Sequence, residues 1–294
     1  MTAPLTVALV AAAFAEPAGD AVNGELLAAL GACPACHTAE HGDGAEAPAS
    51  MAGGYAIDTK FGTFYGPNLT PDPMHGIGAW SFQDFVVAMR DGHAPGGHRY
   101  YPAFPYPSFA AISDSDLADL WAWLRALPAS PTPNRPHEPK PGVRGQGTLA
   151  LWQGLTRWDR AFEPTGDPVL DRGAYLGRHV AHCGECHTPR DSLGRLRSRR
   201  EHWGYDAPPA PAPDITTTGL AGWTLADVAS FLADGMTPDG DATGGEMRRV
   251  VRDGTSRLND ADRRAIATWV LSLDGPKRAR RPEPSDDEDA SDEW

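Results

Sequence analysis

Cys33-Pro34-Ala35-Cys36-His37 and Cys183-Gly184-Glu185-Cys186-His187 are two copies of one pattern, C-x-x-C-H, and together they use all four cysteines of the chain. Two thiols three residues apart on a helical turn can both form thioethers with haem vinyl groups, and the His that follows is then held beneath the iron as its ligand. The pattern therefore predicts two covalently bound haem c groups, held by Cys33, Cys36, Cys183 and Cys186, with His37 and His187 as iron ligands. Two other chemistries use C-x-x-C pairs. One is a single four-cysteine zinc site and the other a redox disulfide. Neither needs a His directly after each second Cys, and a zinc ion would have to join segments 150 residues apart.

Working outward from the motifs, the sequence repeats itself. Gly24-Glu25-Leu26-Leu27 precedes the first motif and Gly173-Ala174-Tyr175-Leu176 the second. Gly76-Ile77-Gly78-Ala79-Trp80 matches Gly219-Leu220-Ala221-Gly222-Trp223 at an offset of 143, and Phe82, Phe85 and Met89 match Leu225, Val228 and Leu232 at helix-face spacing. Ser81 with Asp84, and Thr224 with Asp227, read as capping boxes in which Asp replaces Glu. Near the end of each repeat the offset becomes 146, so that Leu120, Trp123, Leu124 and Leu127 match Ile266, Trp269, Val270 and Leu273. Ser113/Asp116 and Asn259/Asp262 mark the starts of those last helices. The expected fold is all-α: two tandem haem domains with long loops, over residues 16–128 and 166–275. Between them, 129–165 is a Pro-rich linker whose latter part, Leu149 to Trp158, is apolar enough to pack.

The ends read differently. Pro4 to Phe14 is an uncharged apolar run ending in Ala13-Phe14-Ala15, an A-x-A cleavage pattern, although no Lys or Arg precedes it. Residues 1–15 are therefore expected to be a signal peptide, with export to a periplasm. The run falls short of the roughly 18 residues of a membrane span, so no integral membrane segment is expected once it is removed. Residues 276–294 are rich in Asp and Glu with almost no apolar side chains, the composition of a disordered acidic tail. Over the whole 294 residues the net charge is −13, and no long basic face shows, which argues against a nucleic-acid partner. No Ser-His-Asp set, phosphate-binding Gly loop or HExxH is recognisable, so no separate catalytic site is expected.

The stretches GPNLTPDPMHGIGAWSFQDFVVAMRDG and YYPAFPYPSFAAISDSDLADLWAWLRALP resemble the first haem domain of the cytochrome c subunits of bacterial membrane-bound alcohol and gluconate dehydrogenases. RGAYLGRHVAHCGECHTPRDSLG and LNDADRRAIATWVLSL resemble their second, and the likeness covers roughly residues 20 to 275. Those subunits commonly carry three haems. This sequence has cysteines for two, and its acidic tail stands where a third domain or an anchor would begin. The resemblance implies cytochrome c-like domains and an electron path from a periplasmic dehydrogenase to a cytochrome or oxidase. It also implies an axial Met at Met247 in the loop before the terminal helix, whereas Met236 directly follows a helix end.

Twelve residues separate Gly235 from Met247, and twelve residues beyond the matching Gly92 stands Phe104, which has no lone pair for an iron. The first haem is thus expected to take His98 from its Gly-rich loop, or no side chain at all, with His93 a further candidate; Met89 reads as core and Met74 as loop. A Met ligand raises the potential, so the second haem should be the higher-potential site. An open first haem would also permit a second function, that of a peroxidase-like haem enzyme. Arg190, close to His187, is the expected partner of a haem propionate, within a wider set of arginines suited to an acidic partner surface. The remaining histidines, His41, His75, His137, His179, His182 and His202, read as surface or loop residues, with His182 pointing away from the haem although it adjoins Cys183.

Overall fold

The computed structural model describes residues 18–39, 50–156, 161–206 and 211–276. The expected leader, the tail from 277 onward, His41, Arg157 and Trp158 lie outside them. Helix α1 (Ala21–Leu30) opens on Asp20, whose carboxylate accepts from the amides of Val22 and Asn23. After the short turn of α2 (Cys33–His37) comes a hairpin, β1 (Ala56–Thr59) and β2 (Gly62–Tyr65). Helix α3 (Phe82–Asp91), the single turn α4 (Tyr106–Phe109) and α5 (Asp114–Ala126) complete the first half. The connecting segment contains β3 (Glu138–Pro139) and α6 (Gln146–Leu155). The second half repeats the pattern: α7 (Pro168–Ala174), which runs on into a π-helical turn to Val180, then α8 (Gly184–His187), α9 (Leu225–Asp234), α10 (Gly245–Asp253) and α11 (Asp260–Val270).

Both anticipated capping boxes form, at Ser81/Asp84 and Thr224/Asp227, and both helices end on a left-handed Gly, Gly92 and Gly235. Ser113 and Asn259 cap α5 and α11 through the amides of Asp116 and Asp262. In each half the helix before the motif crosses the last helix at a glycine. A Cβ on Gly24 would stand 2.0 Å from the Asp119 carbonyl oxygen, and one on Gly173 would stand 1.9 Å from that of Ala265. Only backbone at those positions allows so close a crossing. Leu27, Leu30, Ile77, Phe85, Leu117 and Trp121 of the first half share one buried core with Leu176, Val180, Val228, Ile266 and Trp269 of the second.

One expectation needs correction. The fold is largely helical rather than all-α, because the β-branched and aromatic run Ile57, Thr59, Thr63, Phe64, Tyr65 favours a hairpin, and β3 adds a third strand to it. Gly62 permits this: its φ is 131°, and a Cβ there would stand 2.4 Å from the Glu138 carbonyl. The Pro-rich segment is bonded to the first half along its length. Asn68 donates to the carbonyls of Ser130 and Thr132, its amide donates to Asn134, and Tyr65 holds His137 and Glu138, so the segment is strapped along the first half. Helix α6 then bonds to both halves: Gln146 and Gln153 to the loop around Arg99, and Trp152 to the Leu193 carbonyl, which it meets at 2.9 Å. No helix among the described residues is long and apolar enough to cross a membrane.

Candidate functional site

Each C-x-x-C-H forms one helical turn, entered through a residue in the left-handed conformation, Ala32 (φ 53°) before Cys33 and His182 (φ 42°) before Cys183. The turn brings the two cysteines of each motif to one side with their thiols free. Burial pushes the Cys33 and Cys183 thiols up to about 12, so they stay neutral rather than becoming thiolates. The His that ends each turn is held alike in both halves. Nδ1 of His37 lies 2.8 Å from the Pro67 carbonyl oxygen, and Nδ1 of His187 lies 2.7 Å from that of Pro213. A carbonyl only accepts, so each Nδ1 carries the proton and each Nε2 keeps its lone pair. Neither Nε2 has a hydrogen-bond partner among the described residues. Burial lowers both imidazole pKa values, against the opposing pull of the carbonyls, and neutral imidazole is the ligating form.

Around each His the backbone repeats atom for atom. The amides of Gly53 and Gly204 donate to the carbonyls of His37 and His187, at 2.7 and 2.8 Å. Met51 and His202 both take φ 64°, both donate from their amide to the hydroxyl of the Thr after the motif (Thr38, Thr188), and both accept at their carbonyl from the amide of Leu69 or Ile215. Asn68 and Asp214 each accept from the amide and hydroxyl of the Thr two residues on. The sequence reading missed this set. Its signal is Pro67-Asn68-Leu69-Thr70 against Pro213-Asp214-Ile215-Thr216, a proline-Asx-x-Thr phrase at the same 146 offset as the terminal helices. His202 was read as surface or loop, yet it is fully buried, edge-on to Trp269 at 5.2 Å, with neither ring nitrogen hydrogen-bonded; His179 is buried as well.

Met247 lies in the first turn of a helix, α10, rather than in a loop, and packs half-buried against the core. The loops leading to Met247 and Phe104 match: a bridge joins Met236 to Ala242 in one and His93 to Arg99 in the other. Phe104 packs against Tyr100 and Phe109 with ring centroids 5.9 and 5.7 Å apart. His98 sits at the exposed tip of its loop. His93 is drawn away by Arg99, 2.5 Å from its Nε2, and by Gln153. Met89 is core, and Met74 is 82% exposed. Arg190 pairs with the Glu185 carboxylate at 2.5 Å and donates to the Glu185 and Gly194 carbonyls, fastening the segment after the second motif. His182 does not point into solvent: its Nε2 lies 3.2 Å from the Gly31 carbonyl of the first half.

Donor chemistry separates the possible occupants of these turns. Among the described residues no group of three or more His, Cys, Asp or Glu is placed to hold a metal ion by itself, which leaves the four-cysteine zinc alternative without support. Paired neutral thiols with a proton-fixed imidazole at the end of the turn fit a haem bound through two thioethers and one nitrogen.

The comparisons with known proteins agree. Residues 21–128 match the cytochrome c family. A "Diheme cytochrome c-type" protein of Cereibacter sphaeroides is 41% identical over 87% of each chain. The cytochrome c subunit of gluconate 2-dehydrogenase from Pantoea cypripedii is 34% identical across all of this chain and 70% of its own length. The cytochrome c subunit of the quinone alcohol dehydrogenase of Gluconobacter oxydans is 35% identical over 89% of this chain and 57% of its own. With its two motif turns and the imidazoles they carry, this chain belongs to the c-type cytochromes and is similar to the cytochrome subunits of bacterial gluconate and alcohol dehydrogenases.

Proposed function

We propose that the chain is a periplasmic dihaem cytochrome c, built of two tandem cytochrome c domains, that carries electrons from a dehydrogenase to a downstream cytochrome or oxidase. The observation that carries this reading is the paired imidazole geometry: His37 on Pro67 and His187 on Pro213, each ending a Cys-x-x-Cys turn, each with Nε2 unpartnered. The haem supplies a one-electron couple when bound. Cys33 and Cys36, like Cys183 and Cys186, fix its position covalently. The proline carbonyls set the imidazole tautomer and ring orientation, and Cys33 and Cys183 pack against the buried core. Met247 would supply the second protein ligand to the haem iron of the second site. In the first site Phe104 stands at the matching sequence position, and His98 or no side chain would take that role.

The relatives that are dehydrogenase subunits support a dehydrogenase as the donor. The test is haem content. Purified protein should carry two haems, and Cys33→Ala/Cys36→Ala and Cys183→Ala/Cys186→Ala should each lose one. Full loading of either variant would refute the assignment. That Phe104 has no donor atom where the repeat places Met247 supports one second reading, a peroxidase-like first site. Peroxide turnover no faster than that of free haem would eliminate it.

A further inference from the structure

The segments that lead into the two attachment turns, about 150 residues apart in sequence, touch. His182, the residue before Cys183, is held in a left-handed conformation that aims its ring at the first half. Its Nε2 lies 3.2 Å from the carbonyl of Gly31, two residues before Cys33, and a carbonyl accepts only, so Nε2 is the donor. The same ring stands edge-on to Phe109 of α4, with centroids 5.3 Å apart. Gly31 is itself pressed against the second half: a Cβ there would stand 3.3 Å from the Val180 carbonyl oxygen. Around this seam, Ser108 donates to Glu185 at 2.6 Å, and Arg257 meets Glu25 at 2.7 Å.

We propose that His182 is the positioning residue of the junction through which an electron passes between the two haem sites, because its hydrogen bond to Gly31 holds one attachment turn against the other. The inference rests on the two-haem reading. The step is a plain one-electron exchange: one iron goes from ferrous to ferric as the other goes from ferric to ferrous, with no proton or leaving group. His182 touches neither iron and acts through the spacing of the turns.

The experiment uses the full-length holoprotein and two variants. His182→Gln keeps a donor at the same reach, and His182→Phe keeps the ring against Phe109 but removes the donor. Haem content and the spectrum of each haem are measured first, then the intramolecular electron-transfer rate after rapid one-electron reduction. In the Phe variant two normal haems and a rate several-fold below the native one are expected, since the turns are no longer held at their spacing and electron transfer falls off steeply with distance. The Gln variant should stay within about twofold of the native rate, because its donor keeps the spacing. A native rate in His182→Phe, or an equal fall in both variants, would overturn the proposal. Fewer than two haems in the unmutated protein would instead overturn the two-haem reading beneath it, so the two failures are distinguishable.

Discussion

At the scale of single residues, the two halves differ most tellingly where their backbones agree. Met51 and His202 occupy one backbone position, yet one is a thioether and the other an imidazole, both fully buried. Burial lowers the His202 pKa from 6.5 to about 3, helped by the charges of Arg178 and His187. The folded state therefore refuses a proton that the unfolded chain accepts. This contribution to stability is complete above pH 6.5 and is lost as pH falls toward 3, at roughly 1 kcal/mol per pH unit. In His202→Met, which copies the first half, the acid side of a stability-against-pH curve from denaturant titration should flatten between pH 6.5 and 3. An unchanged slope would remove His202 as its source. The cysteines and histidines of the motifs were legible in the sequence because their chemistry demands fixed spacing. His202 was not, because a lone His in a loop carries no periodic signal and its burial is decided by the distant Trp269.

At the scale of elements, the helix pairs α1–α5 and α7–α11 depend on glycine at the crossing. Gly173→Ala should cost about 1–3 kcal/mol, because its Cβ must push back the Ala265 carbonyl, which the backbone cannot yield. Gly147→Ala, on α6 with nothing within 4 Å, should instead stabilise by about 0.5–1 kcal/mol. Thermal unfolding of the two variants should move in opposite directions. Helix α6 offers a further test. Gln153 donates to the Tyr106 hydroxyl at 3.0 Å and accepts from Arg99, so Gln153→Leu removes both bonds at a buried position and should cost about 1–3 kcal/mol by chemical denaturation. Helices were readable here through capping boxes and face spacing. The third strand and the strap of residues 130–139 were not, since their partners, Asn68 and Tyr65, lie some 60 to 70 residues away and leave no local pattern. Met247 was expected in a loop for a related reason: two glycines and a polar run conceal the start of α10.

At the scale of the whole molecule, the two halves share a core and are clamped by α6, so the spacing of the two sites is set by packing rather than by a flexible tether. Within that rigid frame the two sites differ in side chains rather than in backbone, as at Met51 and His202. Their imidazole sides match bond for bond, whereas Met247 faces Phe104 across the repeat. A thioether ligand stabilises the reduced iron, so the second site should have the higher potential and electrons should run from the first to the second. The repeat pointed to this asymmetry from sequence alone, because the 12-residue spacing from Gly92 and Gly235 is preserved by matching loop bridges. The most direct measurement is a potentiometric titration of the holoprotein followed by EPR, repeated on Phe104→Met. Two one-electron steps are expected, with the Met-ligated site higher by on the order of 100 mV and the gap narrowing in the variant. A single step, or two identical His/Met signals in the native protein, would contradict the account.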